Sequence, residues 1–260
     1  MPDSAMLQVA TDAAKAAGDV LLEYYDRNID GQAKGRSIVS EADTAAEKVI
    51  LDQLHTNFSD HRIFSEEAGD DKVDSDYVWV VDPLDGTTNF VHRFARYCVS
   101  IGLLYKGKPQ LGVIWEPQLE EMFAAEVGRG ATLNDKPIHA SERSDMSTAV
   151  VQVGRGSTLD AVEHFGRVLP PVNKHVRTLR SIGATALAAA YTACGRFDAH
   201  IGAGTYLYDG IAGGVIAAEA GAKVTDFRGA DWNPPVGGMA DFLVSNSSLH
   251  SEFVAILSDI

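Results

Sequence analysis

Hydrophobic positions recur with the period of a helix in the first part of the chain. Within residues 6–25, apolar side chains return every three or four positions, as a helix with one buried face requires. Residues 42–54 repeat this spacing. Asp43, near the start of this segment, and Glu47 fall among its polar positions, which are expected to face solvent. We therefore predict helices over 6–25 and 42–54.

The middle of the chain has the composition of β-strands. Residues 77–81 are continuously apolar, are rich in β-branched and aromatic side chains, and stop at Asp82-Pro83. This pattern predicts a buried strand that ends at a turn. Further strands are predicted over 99–105, 111–115 and 121–125, and a hairpin over 128–138. Because short turns join these strands, we expect an antiparallel meander.

Helix and strand patterns mix in the last part of the chain, after a polar passage over 141–147. The pattern predicts a strand over 150–153, a helix over 159–168 that Pro170-Pro171 ends, and helices over 184–193 and 210–220. Helices and strands joined by short loops indicate a layered α/β fold. We expect two closely packed halves, residues 1–145 and 146–260, that form one compact unit.

Composition and charge exclude several classes of protein. The chain has 260 residues, 45% of them hydrophobic and 22% charged, as in soluble globular domains. Its net charge of −14 repels a phosphate backbone, so nucleic acid is not an expected partner. Residues 1–4 lack the basic start of a leader, and no apolar run of about 18 residues would span a bilayer. Cys98 and Cys194 form no disulfide framework, so we expect a cytoplasmic protein without a membrane partner.

The strongest chemical signal is the segment over residues 82–90, DPLDGTTNF. The predicted strand delivers Asp82 and Asp85 onto one tight turn, where two carboxylates repel unless a divalent cation neutralises them. Oxygen ligands favour Mg²⁺, Mn²⁺ or Ca²⁺ over Zn²⁺. Backbone N–H groups and hydroxyls from Gly86 to Thr88 would form an anion cradle beside the metal. The alternative is that both aspartates cap a turn and that Thr87 caps a helix.

Two further acidic segments lie far from this turn along the chain. Glu66 and Glu67 follow a short apolar stretch, and Asp209 precedes an apolar helix. The alternatives are a solvated pair of loop charges for the glutamates and an ordinary N-cap for Asp209.

Together, Ser65-Glu66-Glu67, residues 82–90 and residues 208–213 resemble the motifs of the inositol monophosphatase family, the magnesium-dependent, lithium-sensitive sugar-phosphate phosphatases. The likeness also covers residues 39–43, 181–184 and 195–199, in family order. It implies a layered α-β-α-β-α fold of the sugar-phosphatase type, with a mixed or antiparallel N-terminal sheet and a smaller C-terminal sheet. It also implies a homodimer.

The resemblance further implies the residues of the site. The expected metal ligands, for two or three Mg²⁺ ions with Mn²⁺ as a possible substitute, are Glu66, Asp82, the Leu84 carbonyl, Asp85 and Asp209. The expected contacts to substrate and its phosphate are Asp85, Gly86, Thr87, Gly183, Ala184 and Asp209. The expected catalytic residues are Glu66, Thr87 and Asp43, with Asp43 paired to Thr87. In this mechanism a cation lowers the pKa of a bound water, and the Thr87 hydroxyl relays its proton.

The expected function is magnesium-dependent hydrolysis of a small polyol or sugar phosphate, first of all inositol monophosphate. Fructose 1,6-bisphosphate, histidinol phosphate and a 3′-phosphonucleotide are alternative substrates within the family. Gly202 stands where inositol-cleaving members carry an acid, which leaves His200, Thr205 and Tyr206 as candidates to bind sugar hydroxyls. The alternative to an enzyme is an interaction protein that retains the fold and uses the basic stretch over 174–180.

Overall fold

The chain folds into five alternating layers of helix and sheet. The structure is a computed structural model that describes residues 4–27, 30–34 and 37–260; residues 1–3, which enter the argument about a leader, lie outside the described residues. The helices are α1 (Ser4–Tyr25), α2 (Glu41–Asn57), α3 (Thr87–Val91), α4 (Leu159–Asn173), α5 (Thr185–Ala193), α6 (Leu207–Glu219) and α7 (His250–Leu257), with a 3₁₀ turn at Met146–Thr148.

The strands form two main sheets and one small hairpin. The hairpin pairs β1 (Gln32–Lys34) with β2 (Ser37–Val39). The larger sheet, in spatial order β10-β9-β8-β7-β6-β5-β3-β4, contains β3 (Arg62–Ser65), β4 (Gly69–Asp70), β5 (Tyr77–Asp85), β6 (Cys98–Tyr105), β7 (Lys108–Glu116), β8 (Glu121–Glu126), β9 (Ala131–Leu133) and β10 (Lys136–Pro137). The smaller sheet, in order β12-β11-β13-β15-β14, contains β11 (Val150–Arg155), β12 (Thr178–Arg180), β13 (Ala199–Tyr206), β14 (Ala222–Thr225) and β15 (Met239–Asn246).

Packing between the elements produces the layers. Helices α1 and α2 cover one face of the larger sheet, α5 and α6 fill the space between the two sheets, and α4 and α7 cover the outer face of the smaller sheet. The small side chains of α5 and α6 allow this close approach: a Cβ on Gly213 would lie 2.5 Å from the Cβ of Ala189. The larger sheet is mixed, because β3 runs parallel to β5 while β5 to β10 form an antiparallel meander. The predicted α-β-α-β-α fold is confirmed.

Two differences from the predicted elements have clear physical reasons. The Pro170-Pro171 pair does not end helix α4, which continues to Asn173. Val168 and Val172 are fully buried on either side of the prolines, and this burial holds the last turn in place. The carbonyls that the prolines leave without a helical partner belong to Gly166 and Arg167, which are exposed, so water can serve them.

The second difference concerns the polar positions of α2. Asp43 and Glu47 were expected to face solvent, but they are 0% and 6% exposed. The two residues lie four positions apart on one helix face, and that face is turned toward the loops that follow β3 and β5. Their burial reflects polar contacts within the protein and not hydrophobic packing.

Candidate active site

Two adjacent parallel strands bring the first acidic residues together. In β3 and β5, Ser65 pairs with Val81, so Glu66 and Asp82 follow at the same end of neighbouring strands. The register of β5 against β6 shifts between Asp82 and Asp85, and this irregularity lets both aspartates leave the strand on one side. The predicted strand therefore does not stop at Asp82 but continues, distorted, to Asp85.

The third aspartate comes from the other half of the chain. Asp209 lies in the first turn of α6, whose N-cap is Tyr206, so it is not the N-cap residue that the alternative interpretation required. Carboxylate oxygens of Asp82, Asp85 and Asp209 all lie within 4.8 Å of one another. Asp82 and Asp85 are buried, at 1% and 7% exposure, whereas Asp209 is partly exposed.

The electrostatics of this cluster favour a bound cation. Burial raises the pKa of Asp82 well above its usual range, and the charges of Glu66, Asp85 and Asp209 raise it further. Burial followed by the charge of Asp85 likewise raises the pKa of Asp209 well above its usual range. Ionised carboxylates crowded in this way are unstable unless a positive charge lies among them. An all-oxygen donor set fits a hard divalent cation, and the residues present therefore suit the metal that the family resemblance implies.

Asp85 also ties the larger sheet to helix α5. Its two carboxylate oxygens accept hydrogen bonds from the backbone N–H groups of Thr185, Ala186 and Leu187, at 2.9, 2.8 and 3.2 Å. Burial raises the pKa of Asp85, while these hydrogen bonds lower it. Asp85 thus fixes the start of α5 beside the carboxylate cluster.

Thr87 and Asp43 are in direct contact, as the resemblance implied. The Thr87 hydroxyl lies 3.0 Å from Asp43 Oδ1 and 3.1 Å from the Leu84 carbonyl oxygen. The other carboxylate oxygen of Asp43 accepts hydrogen bonds from the backbone N–H and the hydroxyl of Ser40, at 2.8 and 2.6 Å. Thr87 is the first residue of α3 and Gly86 is its N-cap, so the interpretation of Thr87 as a cap is wrong.

The glycine-containing loops of the two halves meet beside this pair. Gly86 has a φ of +94°, and a Cβ there would lie 2.9 Å from the Arg96 carbonyl oxygen and 3.3 Å from the Cβ of Ala184. Gly183 has a φ of +71°, and a Cβ there would lie 3.1 Å from Asn89 Oδ1. Both positions need glycine for the backbone conformation and for the close approach.

The predicted site residues come together in space. Glu66, Asp82, Leu84, Asp85, Gly86, Thr87, Gly183, Ala184 and Asp209 line one pocket of about 500 Å³. Asp43 lies behind this pocket and reaches it through Thr87.

Some residues of the site escaped the sequence analysis. The buried carboxylate of Glu47 accepts hydrogen bonds from the Ser65 hydroxyl and from the backbone N–H groups of Glu67 and Ala68, and so anchors the loop that carries Glu66. The i, i+4 spacing from Asp43 was the signal that could have revealed it. Gln152 and Arg155 also line the pocket, and nothing in the local sequence marks them.

Gly202 is not among the described residues that line the pocket. It is buried within β13, and a Cβ there would lie 2.4 Å from Thr205 Oγ1. His200 and Thr205 are also buried, at 0% and 3% exposure, and only Tyr206 of the three candidate substitutes lines the pocket. An acidic side chain at position 202 would therefore strain the strand.

Comparison with known proteins agrees with this geometry. The model of the Inositol monophosphatase family matches residues 3–260. The chain is 33% identical to the fructose-1,6-bisphosphatase/inositol-1-monophosphatase of Thermotoga maritima, over 95% of this chain and 93% of that protein. It is 36% identical to the Nus factor SuhB of Xylella fastidiosa, over 86% and 83%. The solved inositol monophosphatase of Anabaena (Nostoc) superposes with a TM-score of 0.87 at 34% identity, covering 99% of this chain and 96% of that one.

The chain therefore belongs to the inositol monophosphatase family and is a phosphoric monoester hydrolase. The family is generally metal-dependent, and the carboxylate cluster described above provides the ligands that such an enzyme needs. Within the described part of the chain, none of the helices has the length and apolar character needed to cross a membrane.

Proposed function

We propose that the protein hydrolyses a small polyol or sugar phosphate with the help of Mg²⁺. The observation that supports this most strongly is the convergence of one carboxylate oxygen each from Asp82, Asp85 and Asp209, within 4.8 Å of one another, in the wall of a pocket of about 500 Å³. A pocket of this volume suits a small ligand. The carboxylates would hold the cation, and other parts of the pocket would receive the alcohol part of the substrate.

The metal-binding groups in this proposal are Glu66, Asp82, the Leu84 carbonyl, Asp85 and Asp209. When bound, a divalent cation neutralises the phosphate and makes water a stronger nucleophile. The protein's own contribution is to hold these oxygens in place: the Leu84 N–H donates to Asp82 Oδ1 at 2.9 Å, and the start of α5 holds Asp85. The backbone around Gly86, Gly183 and Ala184 would contact the phosphate.

Thr87 and Asp43 would handle the proton. Because Ser40 holds one oxygen of Asp43, the other is fixed to accept the Thr87 hydrogen. A threonine hydroxyl that donates to a carboxylate can accept a hydrogen bond from an attacking water at the same time. This arrangement would pass the proton of that water toward Asp43, in the manner of general base catalysis.

The names of relatives rank the substrates to be tried. Inositol monophosphate comes first, and fructose 1,6-bisphosphate second, because the Thermotoga relative is named for both activities. Histidinol phosphate and a 3′-phosphonucleotide complete the panel. The family resemblance also supports a homodimer and inhibition by lithium, and light scattering and a lithium titration test these two properties.

Phosphate release from this panel, measured with purified protein in Mg²⁺ and in EDTA, tests the proposal. We expect release of inorganic phosphate from at least one sugar or polyol phosphate in Mg²⁺, release also when Mn²⁺ replaces Mg²⁺, and none in EDTA. Lithium at tens of millimolar should inhibit the magnesium-supported reaction, as the family resemblance implies. Hydrolysis that continues unchanged in EDTA would contradict the proposal.

A further inference from the structure

The two backbone segments proposed to contact the phosphate come from different halves of the chain. Gly86 is the N-cap of α3, whereas Gly183 and Ala184 directly precede α5. A Cβ on Gly86 would lie 3.3 Å from the Cβ of Ala184, so the two segments lie side by side. The N–H groups of Gly183 and Ala184 donate to no described residue and are available to an anion. For one phosphate to contact both segments, their separation must be fixed.

The side chain of Asn89 joins these two segments. Asn89 lies in α3, lines the pocket and is partly buried. Its Nδ2 donates to the Arg96 carbonyl oxygen at 2.7 Å and to the carbonyl oxygen of Ile182, 93 positions further along the chain, also at 2.7 Å. A side-chain amide has two N–H donors, so both are used. One side chain therefore connects the two halves.

The two acceptors fix the orientation of this amide. A backbone carbonyl only accepts hydrogen bonds, so the atom that faces both carbonyls is the nitrogen. The reversed amide would bring three oxygens together and leave both carbonyls unpaired. A Cβ on Gly183 would lie 3.1 Å from Oδ1 of Asn89, and a Cβ on Gly86 would lie 2.9 Å from the Arg96 carbonyl oxygen. The bridge therefore packs directly against both glycines.

The hydrogen bond to Ile182 completes the anchoring of the segment from the second half. Ile182 immediately precedes the Gly183–Ala184 pair. On the other side of this pair, the N–H of Thr185 donates to Asp85 Oδ1 at 2.9 Å. The pair is therefore held at both ends by side chains of the first half, by Asn89 before it and by Asp85 after it.

We propose that Asn89 is a positioning residue, whose amide holds the backbones of Gly86 and Gly183–Ala184 at the separation that lets their N–H groups contact one phosphate. The inference rests on the proposed function and deepens it. Both N–H donors of Asn89 are used within the protein, so the residue acts through the backbone and not on the alcohol part of the substrate. Its removal should therefore affect every phosphate monoester by the same factor.

The substitution Asn89→Leu tests the proposal, because leucine has a similar shape and no donor. We expect kcat/KM to fall by about 10- to 100-fold, as expected for a displacement of about 1 Å, and by the same factor for inositol 1-phosphate and glycerol 2-phosphate. Calorimetric binding of inorganic phosphate in Mg²⁺ should weaken about tenfold, the value of one charged hydrogen bond. Mg²⁺ affinity without phosphate should match the wild type, because Asn89 contacts none of the expected ligands.

Three comparisons separate positioning from a general loss of structure. The amide nitrogen of Gln110 also donates to two backbone carbonyls, at 3.3 and 2.8 Å, but Gln110 does not line the pocket. Gln110→Leu should therefore keep wild-type kcat/KM and phosphate affinity. Partial unfolding of Asn89→Leu would lower kcat alone, whereas a displaced phosphate site raises KM as well. Asn89→Ser, whose side chain is smaller and too short to reach both carbonyls, provides the same measurements if Asn89→Leu does not fold.

The failures of the two proposals are distinguishable. If the wild type releases phosphate from no substrate, the proposed function is wrong. If the Asn89 variants bind inorganic phosphate as tightly as the wild type, the positioning role is wrong, and this result needs no turnover. Losses in kcat/KM that differ more than about tenfold between the two substrates would show that Asn89 contacts the alcohol part instead. A loss of Mg²⁺ affinity equal to the loss of phosphate affinity would assign Asn89 to the metal site and would also overturn the proposal.

Discussion

The Thr87 hydroxyl is the group on which the proposed proton transfer depends. Its hydrogen faces two acceptors, Asp43 Oδ1 and the Leu84 carbonyl, at 3.0 and 3.1 Å. Thr87→Val keeps the shape of the side chain and removes the hydroxyl. We expect kcat to fall by about 10²–10⁴, the usual range for general acid–base groups, with little change in Mg²⁺ affinity.

The neighbouring Thr88 provides a matched control. Its exposed side chain lines the same pocket but makes no hydrogen bond to Asp43 or to another described residue. Thr88→Val therefore removes a pocket hydroxyl without touching the proton path, and it should lose less than about tenfold in kcat, below the range for acid–base groups. Steady-state kinetics and calorimetric Mg²⁺ titration provide the two readouts. If Mg²⁺ binding disappears in Thr87→Val, the residue is a metal ligand and the proposed division of roles is wrong.

The pKa of Asp43 predicts how the proposed proton transfer through Thr87 depends on pH. This pKa is raised to about 6, because burial raises it by more than the hydrogen bonds from Ser40 and Thr87 lower it, and the nearby charge of Glu67 raises it as well. The ionised form accepts the Thr87 proton, so kcat should rise as pH increases through about 6 and level off above it. At pH 5, one unit below that pKa, kcat should be about tenfold below the plateau.

The substitution Asp43→Asn tests this assignment. An amide does not titrate in this range, so the variant should be slow and should lack the limb near pH 6. A wild-type limb that persists unchanged in Asp43→Asn would assign the titration to another group.

Site residues that are neighbours in the sequence were predictable from the sequence. Asp82 and Asp85 stand three positions apart at the end of an apolar strand, and this pattern together with the Gly86-Thr87-Thr88 segment that follows predicted a cation beside an anion site. Gln152 and Arg155 were not predictable as pocket residues, because their place there depends on β11 lying beside β13, where Gln152 contacts His200. Such contacts join residues 48 positions apart, and no local pattern encodes them.

At the scale of elements, helix α2 holds the loop that follows β3. Glu47 accepts hydrogen bonds from the Glu67 and Ala68 N–H groups at 3.2 and 2.9 Å, and from the Ser65 hydroxyl, on either side of the expected ligand Glu66. Groups that orient a metal ligand are typically worth 10- to 100-fold in metal affinity. We therefore expect Glu47→Gln to weaken Mg²⁺ binding by about tenfold or more.

A surface acid on the same helix separates this effect from the loss of charge alone. Asp52 is exposed and pairs with Lys48, so Asp52→Asn removes one charge without touching the loop. Calorimetric titration should show near-wild-type Mg²⁺ affinity for Asp52→Asn. Equal affinities for Glu47→Gln and the wild type would show that α2 does not position Glu66.

The elements themselves were predicted unevenly. Strong periodicity identified α1, α2 and the meander from β6 to β8, within a few residues of their ends. Strands β1 to β4 and β12 to β15 and helices α3 and α7 were not predicted. Strands β13 and β15 contain small and polar residues, and their strand conformation depends on pairing with each other. Helix α4 was predicted too short, because buried Val172 outweighs the local effect of two prolines.

For the whole molecule, the core predicts that the two halves unfold together. One buried cluster joins Phe64 and Val80 of the larger sheet to Phe242 and Val244 of the smaller one, through α5 and α6. Exposing either half would uncover this shared apolar surface. We expect residues 1–145 and 146–260 to unfold in a single calorimetric transition, with equal van't Hoff and calorimetric enthalpies. Two separate transitions would contradict the proposal of one compact unit.

The central claim is that the crowded carboxylates serve a metal and not the fold. Asp82 is the most direct position to test, because it is buried and other acids raise its pKa. Removing one of several repelling charges should leave the metal-free fold as stable as the wild type or more so, by about 0.5–2 kcal/mol, whereas activity should be lost. A residue retained for stability would show the opposite behaviour.

The decisive measurement is phosphate release by wild type and Asp82→Asn across a Mg²⁺ titration, with unfolding of both proteins followed in EDTA. We predict that wild-type release requires Mg²⁺ and that Asp82→Asn lowers kcat by a factor on the order of 10³ or more, as expected from the loss of several kcal/mol of transition-state stabilisation. In EDTA, Asp82→Asn should unfold at the same denaturant concentration as the wild type or a higher one. Undiminished turnover by a folded Asp82→Asn protein would contradict the account.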